Sequence, residues 1–144
     1  MKSIGILHPG EMGISVAATA KNSGCCVYWC SQSRSMQTRN RADNLGLEDL
    51  NTLKDLCRTC EVLVSVCPPH AAIEQADAVI AAGFTGLYAD VNAIAPATAR
   101  KLNRRLSDAG ITFVDGGIIG LPATVAGTTW LYLSGPDAEQ IAKC

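Results

Sequence analysis

Residues 4–7 form a short apolar run that breaks at His8-Pro9-Gly10, and a helical pattern rich in small residues begins near Glu11. Strand, tight turn and helix in that order constrain this chain more than any other stretch, because they open a βαβ unit. Such a helix aims unpaired backbone N–H groups and the positive end of its dipole at the turn, which suits a phosphate. A dinucleotide-binding turn reads G-x-G-x-x-G, and the six residues here are His8-Pro9-Gly10-Glu11-Met12-Gly13. His8 stands where the first glycine is expected. Gly10, which lets a phosphate approach the backbone, and Gly13, which lets the helix pack on the strand, are kept.

The rest of the chain repeats this alternation. Strands are predicted over residues 25–30, 61–67, 87–91, 111–115 and 128–134, and helices over 11–23, 34–45, 47–59, 70–82 and 96–109. Pro136 is expected to open a last helix, and Gly116-Gly117-Ile118-Ile119-Gly120 reads as a glycine-rich loop. The strands are continuously apolar rather than alternating, as parallel strands covered on both faces are. The expected fold is therefore α/β: a doubly wound, mostly parallel sheet with helices on both faces. At 144 residues, with no internal linker or repeat, residues 1–144 read as one domain.

A net charge of −1 gives no electrostatic reason to expect nucleic acid or an anionic membrane as partner. No apolar run approaches the roughly 20 residues of a membrane span, and the first strand begins too early for a signal peptide. Seven cysteines are many, but their spacing is irregular. Cys57-Arg58-Thr59-Cys60 has redox or zinc spacing without a second pair, so structural cysteines in a reduced, cytoplasmic protein are expected.

In an open α/β sheet ligands bind beyond the carboxyl ends of the strands, here residues 8–13, 30–34, 67–70, 90–96 and 115–120. A site preferring NAD(H) carries an acid about 20 residues past the glycine turn, to hold the ribose 2′-hydroxyl. That position falls at Cys30-Ser31-Gln32-Ser33-Arg34, which has no acid. Ser31, Ser33 and Arg34 instead offer hydroxyls and a guanidinium to a 2′-phosphate, and NADP(H) is expected over NAD(H). The same residues equally describe a solvated basic helix start with a serine cap. A methyltransferase on this fold would also want the missing acid. Pro68-Pro69 suits either a cleft wall or an ordinary strand end, and His70 a helix start.

With these residues laid out, the chain resembles the N-terminal domain of the 3-hydroxyisobutyrate/6-phosphogluconate dehydrogenase (β-hydroxyacid dehydrogenase) family. The likeness rests on Ile4-Gly5-Ile6-Leu7-His8-Pro9-Gly10-Glu11-Met12-Gly13 and on Val66-Cys67-Pro68-Pro69. Asp90-Val91-Asn92-Ala93-Ile94-Ala95-Pro96 resembles the family's D-x-S-T-x-x-P, and Asp115-Gly116-Gly117-Ile118-Ile119-Gly120 its D-A-P-V-S-G-G. The resemblance implies a Rossmann domain that holds NAD(P) while a helical C-terminal domain completes a small-molecule substrate cleft. It implies hydride transfer between the nicotinamide and a carbon bearing an alcohol or an imine. Pro9, Gly10, Glu11, Met12, Gly13, Ser31, Ser33, Arg34, Cys67, Pro68 and Asn92 are the expected cofactor contacts, with Asn92 and Gly120 toward substrate.

The departures shape the expectation further. Asn92-Ala93 replaces a serine-threonine pair and Ile119 a serine, so the substrate is expected to differ from the simple hydroxyacid of the best-known members. The family's catalytic lysine comes from the C-terminal domain. None of Lys2, Lys21, Lys54, Lys101 and Lys143 is placed at a strand end, so no catalytic residue is assigned and weak catalysis is expected of the chain alone. A free-standing nucleotide-binding module is the competing expectation. An uncovered apolar face would favour a homo-oligomer.

Overall fold

A computed structural model describes residues 1–143. In chain order it forms β1 (Ser3–Ile6), α1 (Glu11–Asn22), β2 (Cys26–Trp29), α2 (Met36–Leu45), β3 (Glu48–Asp49), α3 (Leu53–Thr59) and β4 (Val62–Ser65). There follow α4 (Ala72–Ala81), β5 (Leu87–Asp90), α5 (Pro96–Asp108), β6 (Thr112–Gly120), β7 (Thr129–Ser134) and α6 (Ala138–Ala142). One seven-stranded sheet has the order β3-β2-β1-β4-β5-β6-β7, parallel throughout except for the antiparallel pair β6–β7. The chain winds outward from β1 to one edge and then from β4 to the other. The strand order reverses between β1 and β4, and that switch point opens a crevice at their carboxyl ends.

Each face of the sheet has its own core. Ile4, Ile6, Val62, Val64, Ala89 and Val114 meet α1 and α2 through Ala17, Ala20 and Ala42. On the other face Leu63 and Tyr88 meet α3, α4 and α5 through Leu56, Ala76, Val79, Leu102 and Leu106. Alternate residues of one strand serve opposite faces, which is why the strands read as unbroken apolar runs. Gly5 is one place where glycine is needed: a Cβ there would come 2.6 Å from Leu63 Cδ2.

Three expectations from the sequence are corrected. Residues 47–59 are not one helix. Tyr28 and Trp29 pair with Glu48 and Asp49 as β3, Asn51 turns the chain at φ 63°, and the Thr52 hydroxyl accepts Asp55 N–H to start α3. The leucine spacing is real, but sheet pairing and a local cap divide it. Residues 116–120 are not a loop either. They continue β6 and pair with residues 129–133 of β7, glycine allowing the close approach: a Cβ on Gly116 would lie 2.7 Å from the Tyr132 carbonyl oxygen. The last helix begins at Ala138 rather than at Pro136, and Cys144 lies outside the described residues.

Candidate functional site

The turn after β1 is held shut by its own backbone. Gly10 N–H donates to the His8 carbonyl at 2.9 Å. Pro9 and Gly13 are buried and Glu11 is exposed. A Cβ on Gly13 would sit 2.1 Å from the same His8 oxygen, so α1 approaches the turn as closely as a backbone can. No side chain caps α1 at Gly10, and its first-turn N–H groups have no intrahelical acceptor. The turn is thus a preformed anion cradle. The space above Gly10 is bordered by the His8 imidazole, whose atoms lie 3.6–3.9 Å from where a Gly10 Cβ would be. Burial, and then the charges of Arg34 and Arg41, hold the His8 pKa below its ordinary value, so the ring is neutral at pH 7.

The turn after β2 brings Arg34 over the same place. Its Nη2 donates to the Leu7 carbonyl at 2.9 Å, while its Nε is buried with no hydrogen-bond partner. Arg39 braces this turn, Nη2 donating to the Ser31 carbonyl at 2.8 Å. Arg41 pairs with Glu11 at 3.4 Å. Ser31 is buried, and Ser33 is exposed in the left-handed region at φ 58°. Neither caps α2: Ser35 does, accepting Thr38 N–H at 3.2 Å. A cavity of about 420 Å³ opens beside Ser33 and Arg34, walled by Cys30, Leu53, Ala71 and Gln75.

Residues 47–59 also supply an acid that the sequence analysis did not place here. Asp49, at the end of β3, accepts N–H bonds from Ser31 at 2.9 Å and Asn51 at 2.8 Å. Burial alone would raise its pKa, but these bonds and the Arg39 charge hold it below the ordinary value. Reading a helix across this segment hid the carboxylate.

Beyond β4 and β5 lies a buried polar network. Asp90 is fully buried, and its two carboxylate oxygens accept Asn92 N–H at 3.0 Å and Asn92 Nδ2 at 3.1 Å. Asn92 Oδ1 accepts Cys67 N–H at 2.7 Å, and its Nδ2 also lies 3.3 Å from Ser65 Oγ. The Tyr88 hydroxyl is buried beside Ser65, outside hydrogen-bonding geometry. Burial pushes the Asp90 carboxyl up to about 6; the Asn92 hydrogen bonds oppose this and the Asp115 charge adds to it. Burial likewise raises the Cys67 thiol.

The sites expected from the sequence therefore separate into three groups. The turns carrying residues 9–13 and 31–34 meet at Leu7 and Arg34. Cys67 and Asn92 form one hydrogen-bonded unit with exposed Pro68 beside it. Gly120 is not brought to either. Asp115 is level with Asp90 in the sheet, and five more residues of extended strand carry Gly120 about 17 Å further on. His70 is exposed in a short 3₁₀ turn over Pro69–Ala71. Cys57 and Cys60 are buried thiols at the end of α3, raised by burial to about 11 and about 12. No metal-binding cluster is found among the described residues.

Comparison with known proteins places this geometry. Residues 3–144 match the sequence profile of the family described as the NAD binding domain of 6-phosphogluconate dehydrogenase. The chain is 26% identical over 151 residues to an NAD-dependent L-serine dehydrogenase of Pseudomonas aeruginosa, covering 99% of this chain and 49% of that protein. In fold it is similar to the Mycobacterium tuberculosis 3-hydroxyisobutyrate dehydrogenase, at TM-score 0.84 and 18% identity over 99% of this chain and 50% of the other. It is likewise similar to a Myxococcus stipitatus imine reductase variant, at TM-score 0.83 and 19% identity over 99% and 51%. The chain spans about half the length of these relatives. The strand order, the glycine turn and the profile match agree, and the chain belongs to the 6-phosphogluconate dehydrogenase NAD-binding domain family.

Proposed function

We propose that this chain is the cofactor-binding half of an NADP(H)-dependent oxidoreductase acting on a small hydroxyacid-like or imine substrate. The observation that carries the cofactor choice is Arg34, whose guanidinium has a buried Nε without a hydrogen-bond partner beside the exposed Ser33 hydroxyl. A 2′-phosphate oxygen would supply that missing acceptor. Asp49, the acid beside this turn, is engaged by the N–H groups of Ser31 and Asn51. The similar imine reductase was solved with NAD+ and the similar serine dehydrogenase is NAD-dependent, so the two dinucleotides have to be compared directly.

The residues fit such a ligand. Pro9, Gly10, Glu11, Met12 and Gly13 would receive the pyrophosphate on the open N–H groups of α1, and neutral His8 adds no competing charge. Ser31, Ser33 and Arg34 would hold the phosphorylated ribose at the mouth of the 420 Å³ cavity, a volume in the range of small-molecule sites. Cys67, Pro68 and Asn92 would wall the reacting end, and Gly120 would act only through a substrate that reaches along β6. When bound, the nicotinamide gives or accepts hydride.

The lysine this family uses as general acid/base, worth about 10²–10⁴-fold, comes from its C-terminal domain, so turnover would draw on that domain rather than on residues 1–144. Buried free thiols at Cys57 and Cys60 suit a reducing, cytoplasmic setting. Ile119, Trp130, Leu131 and Tyr132 are exposed on the β6–β7 hairpin and favour a homo-oligomer. Thermal unfolding with NADP(H) and NAD(H) tests the cofactor class. A ligand at a hundredfold its Kd stabilises by about 2.7 kcal/mol, a rise of several degrees; no rise with either dinucleotide would remove the reading.

A further inference from the structure

The network joining β4 and β5 has a feature that simple packing does not require. Asn92 has turned its whole amide inward. Oδ1 accepts the Cys67 N–H, and Nδ2 is directed at Asp90 Oδ2, Ser65 Oγ and, at 3.4 Å, the Cys67 sulfur. Both amide hydrogens are thus occupied inside the protein. The carboxylate of Asp90 accepts two bonds from one residue, fixing both the backbone and the side chain of Asn92. Cys67 belongs to the segment leaving β4, 25 residues earlier in the chain. Two independent loops are therefore tied through one amide, and that amide is held by one buried anion.

We infer that Asp90 is a positioning residue, whose carboxylate sets Asn92 and through it the Cys67-Pro68 backbone, giving the reacting end of the cofactor a fixed wall. This rests on the proposed cofactor site. Asp90 acts through Asn92 and touches neither cofactor nor substrate. Only the ionised carboxylate can accept from both Asn92 groups without carrying a proton of its own. Protonation turns one oxygen into a donor facing a donor, and the tie loosens.

The titratable groups around Asp90 are few. Asp115 comes from β6, the Cys67 thiol from the segment after β4, and the Tyr88 hydroxyl from its own strand. The buried faces of α4 and α5 bring only alanine, valine and leucine. No cation among the described residues acts on the carboxyl. The loosening should therefore follow the Asp90 carboxyl itself, which burial places at about 6.

The test uses amide NMR of the uniformly ¹⁵N-labelled chain between pH 4.5 and 7.5, together with NADPH binding. In the wild type the Cys67 backbone N–H and the Asn92 side-chain NH₂ should titrate together with a midpoint near 6. In Asp90→Asn both should stay flat, and NADPH should bind about tenfold more weakly at pH 7.5, the loss expected for a bond to a charged acceptor. A flat Cys67 amide in the wild type overturns the inference, and this measurement needs no variant to fold. Unchanged NADPH affinity in a folded Asp90→Asn also overturns it. If the wild type binds neither dinucleotide, the proposed cofactor site fails, and the Cys67 titration alone then decides whether Asp90 governs the loop.

Discussion

Single residues set the limits of this site, and Gly13 is the sharpest of them. The atom that a Gly13→Ala methyl would strike is the His8 carbonyl, 2.1 Å away on the backbone. Backbone cannot rotate aside, so this change should cost about 3 kcal/mol in urea unfolding, whereas an alanine at Gly117, in β6, meets no atom within 4 Å and needs no positive φ. Asp90 makes a prediction of opposite character. Its carboxyl stands at about 6 in the folded chain, against roughly 3.9 when unfolded. Between those values the native state holds the extra proton, so this group's contribution to stability falls as pH rises from about 4 to about 6 and stays lost above. Two pKa units correspond to about 3 kcal/mol at most. Relative to wild type, Asp90→Asn should therefore gain stability as pH rises from 4.5 to about 6 and keep that difference to pH 7.5; a relative loss would contradict the burial argument. Gly10 and Gly13 were legible in the sequence because glycine spacing at a strand-to-helix turn has one steric meaning. The inward turn of Asn92 was not, because its partners lie on another strand and nothing local announces them.

At the scale of elements, the strand-and-helix order was readable because each junction carries its own turn chemistry, as Gly24, Gly46, Gly83 and Gly110 do with their positive φ values. What escaped was decided by pairing between distant segments. The leucines at 47, 50, 53 and 56 have helical spacing, yet β2 draws Glu48 and Asp49 into the sheet. The glycines of β6 looked like a loop until β7 was laid against them. The misread segment mattered, since it delivers Asp49 to the turn where an acid seemed absent. The C-terminal turn of α3 makes a separate prediction. Burial holds Cys57 and Cys60 at about 11 and about 12, leaving very little thiolate at pH 8. Brief iodoacetamide treatment of the folded chain followed by mass spectrometry should leave both unmodified, and urea should expose them. Rapid labelling of the native protein would show that α3 does not pack as described.

Across the whole molecule, the crevice at the strand switch point gathers the polar site, while the β6–β7 hairpin leaves Ile119, Trp130, Leu131 and Tyr132 open to solvent. Ile119, Trp130 and Tyr132 share one face of the hairpin and Leu131 lies on the other, and exposed apolar side chains grouped on one face favour association. Light scattering should therefore find species larger than 15.1 kDa as concentration rises, and Trp130→Glu with Tyr132→Glu should reduce them; a clean monomer at millimolar concentration would contradict this. The central claim, that Arg34, through the guanidinium Nε that has no partner, reads a 2′-phosphate, is tested most directly by calorimetric titration of NADPH and NADH into the wild type and Arg34→Ala. The wild type should bind NADPH at least tenfold more tightly than NADH, a difference of about 1.4 kcal/mol, and the substitution should erase most of that gap while leaving NADH affinity nearly unchanged. Equal affinities for the two dinucleotides, unaltered by the loss of Arg34, would contradict the account.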